Sequence, residues 1–208
     1  EEVSVCLYNE LDPERPVQNL GKLINITEEL CKHPPPQCNV AFLGPQGVAK
    51  TTAQLAIHFA QLEAGVKSYF VDSIDLRLLF KNRSFLRDES ELGPIRSEFN
   101  ALVQAEVIIW SDAGDTQSSH STEFAENLKN LVERSSAVWI ISSNLSRQEL
   151  SNHVNFGRST VSRLFADRNG VPAKVVDLVG PDQRAYSSRL EEKWGELIEF
   201  RKQEEDER

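Results

Sequence analysis

Lys50-Thr51-Thr52 closes a short turn that starts at Gly44 and runs through Pro45, Gln46, Gly47, Val48 and Ala49. Apolar Val40-Ala-Phe-Leu43 lies directly before it, and a helical pattern from Thr52 to Ala64 directly after. This order nearly reproduces the phosphate-binding pattern Gly-x-x-x-x-Gly-Lys-[Ser/Thr]. The residue types suit the chemistry. Glycines let consecutive backbone N–H groups turn inward onto an anion, and the following helix adds the positive end of its dipole. Lys50 is then placed for the β- and γ-phosphates of ATP and Thr51 for its Mg²⁺. Ala49 departs from the pattern, because a methyl group there restricts φ and crowds the phosphate. A plain strand-to-helix turn is the simpler reading of Gly44 to Thr51. The buried strand before it and the apolar Leu55, Ile57, Phe59 and Leu62 after it favour the phosphate site.

Such a site needs a carboxylate from a second strand to hold the metal and position the attacking water. Val107-Ile-Ile-Trp-Ser-Asp112 offers one. An acid at the end of a buried apolar run needs a partner, which a metal ion beside the phosphates would supply. Asp112 could equally cap the following loop. Cys31, His33 and Cys38, with distant Cys6, do not follow the spacing of a structural zinc site.

The 208 residues are enough for one domain with a sizeable core. Lys and Arg number 23 against 32 Asp and Glu, a net charge of −9, so any contact with nucleic acid has to be local. No apolar run approaches the roughly 20 residues that span a bilayer, and no secretory pattern opens the chain. Three cysteines fit a reducing compartment, and a cytoplasmic location is expected. Methionine is absent even at position 1, so the chain reads as processed or as a fragment.

Lys67–Asp72, Val107–Ser111, Ala137–Ser143 and Ala173–Val179 are further short strands. They are rich in β-branched and aromatic residues without polar alternation, which means strands covered on both faces. Helical patterns separate them at Ile74–Lys81, about 93–104, Thr122–Arg134 and Ser159–Ala166. The fold class is therefore α/β: a parallel five-stranded sheet with helices on both faces. Residues 1–38 read as a proline-bearing arm with a helix at Leu20–Leu30, residues 39–186 as the core, and residues 187–208 as a charged helical tail.

In this order the motifs resemble the DnaC/IstB-type ATPases of the AAA+ class, which comprise bacterial replicative helicase loaders and transposition helper ATPases. The resemblance covers about residues 10–186. It places Asp112 at the second, water-activating carboxylate of the acidic strand and Ser111 where the Mg²⁺-associated acid would stand; the other register makes Asp112 the metal carboxylate. Either way one acid is missing. Asn144 in Ile140-Ile-Ser-Ser-Asn looks like the sensor amide, Arg163 in Gly157-Arg-Ser-Thr-Val-Ser-Arg like the arginine finger, and Arg184 in Gly180-Pro-Asp-Gln-Arg like the terminal sensor. A finger acting on a neighbour's nucleotide implies a homo-oligomer. The resemblance also implies ATP and Mg²⁺ as cofactors, a replicative helicase or a transposase as partner, and little or no separate helical lid. The loaders' N-terminal partner-binding domain is expected to be absent or reduced to the arm.

In the loaders an aromatic loop grips single-stranded DNA, and Phe80-Lys81-Asn82-Arg83, followed by Phe85 and Arg87, matches it. Bases stack on aromatics while cations follow the phosphates; the bland alternative is that the phenylalanines are core. Ser118, Ser119 and His120 form a weaker second candidate. The leading expectation is an ATPase of the helicase-loader type, with the transposition helper as nearest relative. A small P-loop kinase and a nucleotide-gated assembly switch with weak or no hydrolysis are the competing readings; Ala49 and the missing acid favour the switch over full turnover.

Overall fold

The computed structural model describes residues 17–85, 89–114, 121–153, 156–168 and 170–182. The tail 187–208 and Arg184 lie outside them. Five strands, β1 (Val40–Leu43), β2 (Ser68–Asp72), β3 (Val107–Ser111), β4 (Val138–Ser143) and β5 (Lys174–Asp177), form one parallel sheet in the order β2-β3-β4-β1-β5. The helices are α1 (Leu20–Lys32), α2 (Lys50–Glu63), α3 (Ser73–Phe85), α4 (Glu89–Val103), α5 (Ser121–Arg134), α6 (Arg147–Asn152) and α7 (Gly157–Leu164).

Period-two alternation sends side chains from each inner strand to two cores. Val40 and Phe42 of β1, Val107 and Ile109 of β3, and Val138 and Ile140 of β4 meet α1 and α2 on one face. Ala41, Leu43, Ile108, Trp110, Trp139 and Ile141 meet the helices that include α3, α4 and α5 on the other. Every residue of β1, β3 and β4 is buried, which accounts for their uninterrupted apolar character.

Three expectations change. Residues 17–32 are more than an arm: α1 buries Leu23, Ile24, Ile26, Thr27 and Leu30. Asn19 and Lys22 donate to the carbonyls of Asp177 (2.6 Å) and Val175 (2.7 Å), and Gln18 N–H to that of Val179 (2.7 Å), so this segment covers edge strand β5. In α2 the apolar residues divide. Ile57 is fully buried with Ala53, whereas Leu55, Phe59 and Leu62 are 38%, 59% and 46% exposed. Small alanines bring the helix close to the sheet, and the larger residues at i, i+4 and i+7 lie on its opposite side. The third is α6, which sequence reading missed. Its start is a full capping box: Ser146 Oγ accepts from Glu149 N–H (3.2 Å) and Glu149 Oε2 from Ser146 N–H (2.7 Å).

If α1 belongs to the core, Leu23→Ala lowers unfolding stability by about 2–5 kcal/mol, the range for emptying a buried leucine site. Urea denaturation checks this, and a change below about 0.5 kcal/mol, typical of surface positions, would return the segment to the status of an arm.

Candidate functional site

Strand β1 delivers the chain to the turn with no room to spare. Gly44 adopts φ +142°, and a Cβ there would fall 2.2 Å from the carbonyl oxygen of Leu178, just beyond β5. Gly47 follows at φ +70° and Ala49 at φ +65°. Ala49 thus takes the left-handed conformation that the pattern reserves for glycine, at a cost of about 1–2 kcal/mol. Val48 is fully buried in the α1–α2 core and anchors the turn, while Pro45 and Gln46 are exposed on its rim.

Helix α2 starts at once. Its N-cap donates no side-chain acceptor and its first turn has no acidic residue, so neither competes with an anion for the helix's leading N–H groups. The Lys50 side chain, 5% exposed, folds over the turn and donates to the carbonyls of Gly44 (2.7 Å) and Pro45 (2.5 Å) and to Asn144 Oδ1 (3.0 Å). The expected phosphate lysine and the expected sensor amide therefore meet, although 94 residues separate them. Thr51 is exposed on the first turn of α2 and Thr52 half-buried.

The acidic strand ends beside them. Asp112 adopts φ +53°, a conformation Asp tolerates better than most residues. Its N–H donates to Ser142 Oγ (3.2 Å) and its carbonyl accepts from Ser73 Oγ (2.7 Å), which itself accepts from Trp110 Nε1 (3.1 Å). Ser143 Oγ reaches the carbonyl of Ala113 (2.5 Å). Ser111 is buried, 3% exposed, with its Oγ 3.5 Å from Asp112 Oδ2. These bonds tie the tips of β3 and β4 together and leave Asp112 half-buried at the end of the strand.

Thr51, and Asp112 in one of its two registers, are the side chains whose oxygen donors could hold Mg²⁺. Among the described residues no group of three or more His, Cys, Asp or Glu is placed to hold an ion. Burial raises the pKa of both the Cys31 and Cys38 thiols; Glu28 adds to the rise at Cys31, and Lys174 opposes it at Cys38.

Arg163 lies elsewhere. Its guanidinium pairs with Glu133 (3.2 Å) and its carbonyl accepts from Asn39 Nδ2 (3.4 Å). Asn39 precedes β1 and Glu133 ends α5, so Arg163 stands at the edge of the sheet where strands enter, across about 13 Å of four-residue strand from Gly44. It cannot serve the nucleotide of its own chain from there. The DNA candidates separate too. Phe80 is 2% exposed and packs on Phe124 (ring centroids 5.3 Å apart) and Phe99 (6.4 Å). A stacking role would require it to leave the core, so the reading of Phe80 as a DNA platform is corrected. Lys81 and Asn82 are exposed and Arg83 half-buried. The side chain of Phe85, and Arg87, Ser118, Ser119 and His120, lie outside what is described.

Sequence reading missed Gln54. It is fully buried in α2 and donates to the carbonyls of Trp110 (3.0 Å) and Ile140 (3.2 Å), bridging β3 and β4 beneath the site. An amide on the sheet-facing side of a helix is the available signal, since buried amides need partners.

Residues 15–191 match the family described as IstB-like ATP binding protein. An ATP-binding protein of insertion sequence IS5376 from Geobacillus stearothermophilus is 28% identical over 160 residues, covering 74% of this chain and 58% of that protein. The chain thus spans little more than half the length of that relative. Among solved structures, DnaI superposes with a TM-score of 0.56 at 19% identity, over 78% of this chain and 83% of DnaI. AMPPCP-bound DnaA from Aquifex aeolicus gives 0.57 at 14% identity, over 84% and 52%. A DNA replication initiation factor gives 0.62 at 15%, over 92% and 54%. These likenesses show a shared fold, the helix-covered parallel sheet described above.

Two substitutions test the turn. Gly44→Ala forces the tips of β1 and β5 apart and lowers the melting temperature by several degrees, as a loss above about 1 kcal/mol would. Ala49→Gly relieves the left-handed methyl and leaves stability unchanged or raised by up to about 1 kcal/mol, whereas Ala53→Gly inside α2 lowers it by about 1 kcal/mol. Equal losses at positions 49 and 53 would contradict the strain at Ala49.

Proposed function

Because the chain belongs to the IstB-like ATP binding protein family, we propose that it binds ATP with Mg²⁺ in the turn 44–52 and hydrolyses it slowly in a homo-oligomer that works on DNA. The observation that carries this reading is the Lys50 ammonium held between the turn carbonyls and Asn144. The N–H groups from Gly47 to Thr52 bind the phosphates, and Lys50 turns from its carbonyl partners to their oxygens. Asn144 orients the attacking water or the terminal phosphate, and Asp112 accepts the water's proton in the register that puts Ser111 at the metal position; in the other register Asp112 holds the metal. Mg²⁺, when bound, neutralises charge on the β- and γ-phosphate oxygens. Arg163, on the opposite edge of the sheet, completes the site of an adjacent copy, and Arg184 is the proposed contact to the chain's own phosphates.

Ser111 supplies no charge where the resemblance expects a metal carboxylate, which makes turnover slow and favours a nucleotide-dependent assembly switch. The insertion-sequence relative supports a transposition helper, with a transposase as partner, over a helicase loader. The DnaI and DnaA likenesses bear on fold alone, so a replicative helicase is the second candidate.

ATP hydrolysis with and without DNA is the test. Lys50→Ala and Arg163→Ala each reduce turnover by at least about tenfold, with up to 10³ or more available to an arginine finger. Mixing the two variants restores part of the activity, because one contributes an intact turn and the other an intact arginine. Wild-type turnover in Arg163→Ala would end the shared-site reading, and equal turnover in Lys50→Ala the catalytic one.

A further inference from the structure

We propose that the arginines around the C-terminal end of α5 form a binding track for the phosphodiester backbone of nucleic acid, on the edge of the sheet opposite the nucleotide turn. The Arg83 guanidinium carbon lies 3.9 Å from the centroid of the Phe99 ring, and that of Arg134 lies 5.6 Å from the same ring. Arg83 Nη1 is buried and has no hydrogen-bond partner among the described residues. Just past Arg134, Arg168 donates to the carbonyls of Ser136 and Ala137. Among the described residues, a ring holds Arg83 and Arg134 and backbone carbonyls hold Arg168, and none of the three forms an ion pair with a carboxylate. Glu133, the neighbouring acid, is engaged by Arg163.

Bringing like charges together is unfavourable in the free protein. Burial, then the charges of Arg134 and Arg96, hold the Arg83 guanidinium below its ordinary pKa, and a bound anion would reverse the repulsion. The cluster runs against the balance of a chain with net charge −9. Planar guanidinium forks match phosphate oxygens. The aromatic rings do not take part directly, since Phe80 and Phe99 are each 2% exposed. The track therefore touches backbone and not bases, and it treats single strands and duplexes alike.

The proposal rests on the DNA part of the function above, and of the nucleotide-site residues it uses only Arg163, as the partner of Glu133. Fluorescence anisotropy with labelled single-stranded and duplex oligonucleotides, titrated over about 50–200 mM salt, tests it. Arg134→Gln, an exposed change, reduces the slope of log K against log salt by about one, and Arg83→Gln/Arg134→Gln by about two, with at least a tenfold loss of affinity. Arg83→Lys keeps the charge and most of the slope. Thermal unfolding and ATP binding are measured on the same samples, so a failed nucleotide site is seen separately from a failed track. An unchanged slope in the double variant, or a folded wild-type protein that binds no DNA at about 50 mM salt, would overturn the proposal.

Discussion

The tip of β1 is clamped from both sides, and the functional site depends on that clamp. Gly44 N–H donates to the carbonyl of Ser143 (3.0 Å) on the β4 side, and Leu178 N–H donates to that of Leu43 (2.6 Å) on the β5 side. Because β1 is paired in parallel register with both neighbours, the turn leaves the sheet at a fixed point and in a fixed direction. Only glycine fits there, since the Leu178 carbonyl occupies the space a Cβ would need. The turn then reaches helix α2 in five residues, and Lys50 is carried back over it.

A layer of short polar bonds below the turn keeps the other strand tips in step. Gln54 ties β3 to β4 from the helix side, while Ser73, Ser142 and Ser143 tie the backbone after β3 to α3 and β4. Each of these groups is buried or half-buried, where losing one partner costs about 1–3 kcal/mol. Asn144 and Asp112 stand at the ends of strands joined in this way, so their spacing relative to Lys50 is set by the sheet. The entering edge is built differently: arginines rest on a phenylalanine ring and on carbonyls. The two edges suit ligands that differ in kind, a nucleotide held in a turn and an extended anion lying on a surface.

The strands were legible because sandwiching them between helices leaves a plain trace: Val107–Ser111 is read from sequence with its observed ends. Lys50 and Asp112 were legible as chemistry, yet the distance between Lys50 and Asn144 was not, since parallel pairing alone brings them together. What failed did so for physical reasons. Phe80 flanked by cations gives one sequence pattern whether the ring turns inward or outward, and packing against Phe99 and Phe124 decided it. Leu55, Phe59 and Leu62 carry a helical period, but alanines on the other side won the contact with the sheet. Helix α6 is six residues long, too short for periodicity, and only its capping box announces it. The left-handed conformation of Ala49 is a place where local preference and the site conflict, and such conflicts gather at functional turns.

The central claim is that the turn 44–52, with Lys50 as its charged group, is a nucleotide phosphate site. Isothermal titration of Mg-ATP into the protein and into Lys50→Ala, with both variants melted in parallel, addresses it directly. Saturable binding that raises the melting temperature of the wild-type protein, and that falls by at least about tenfold, some 1.4 kcal/mol, in a Lys50→Ala variant that still folds, is the predicted result. Equal binding by the two proteins, or none by a folded wild type, would contradict it.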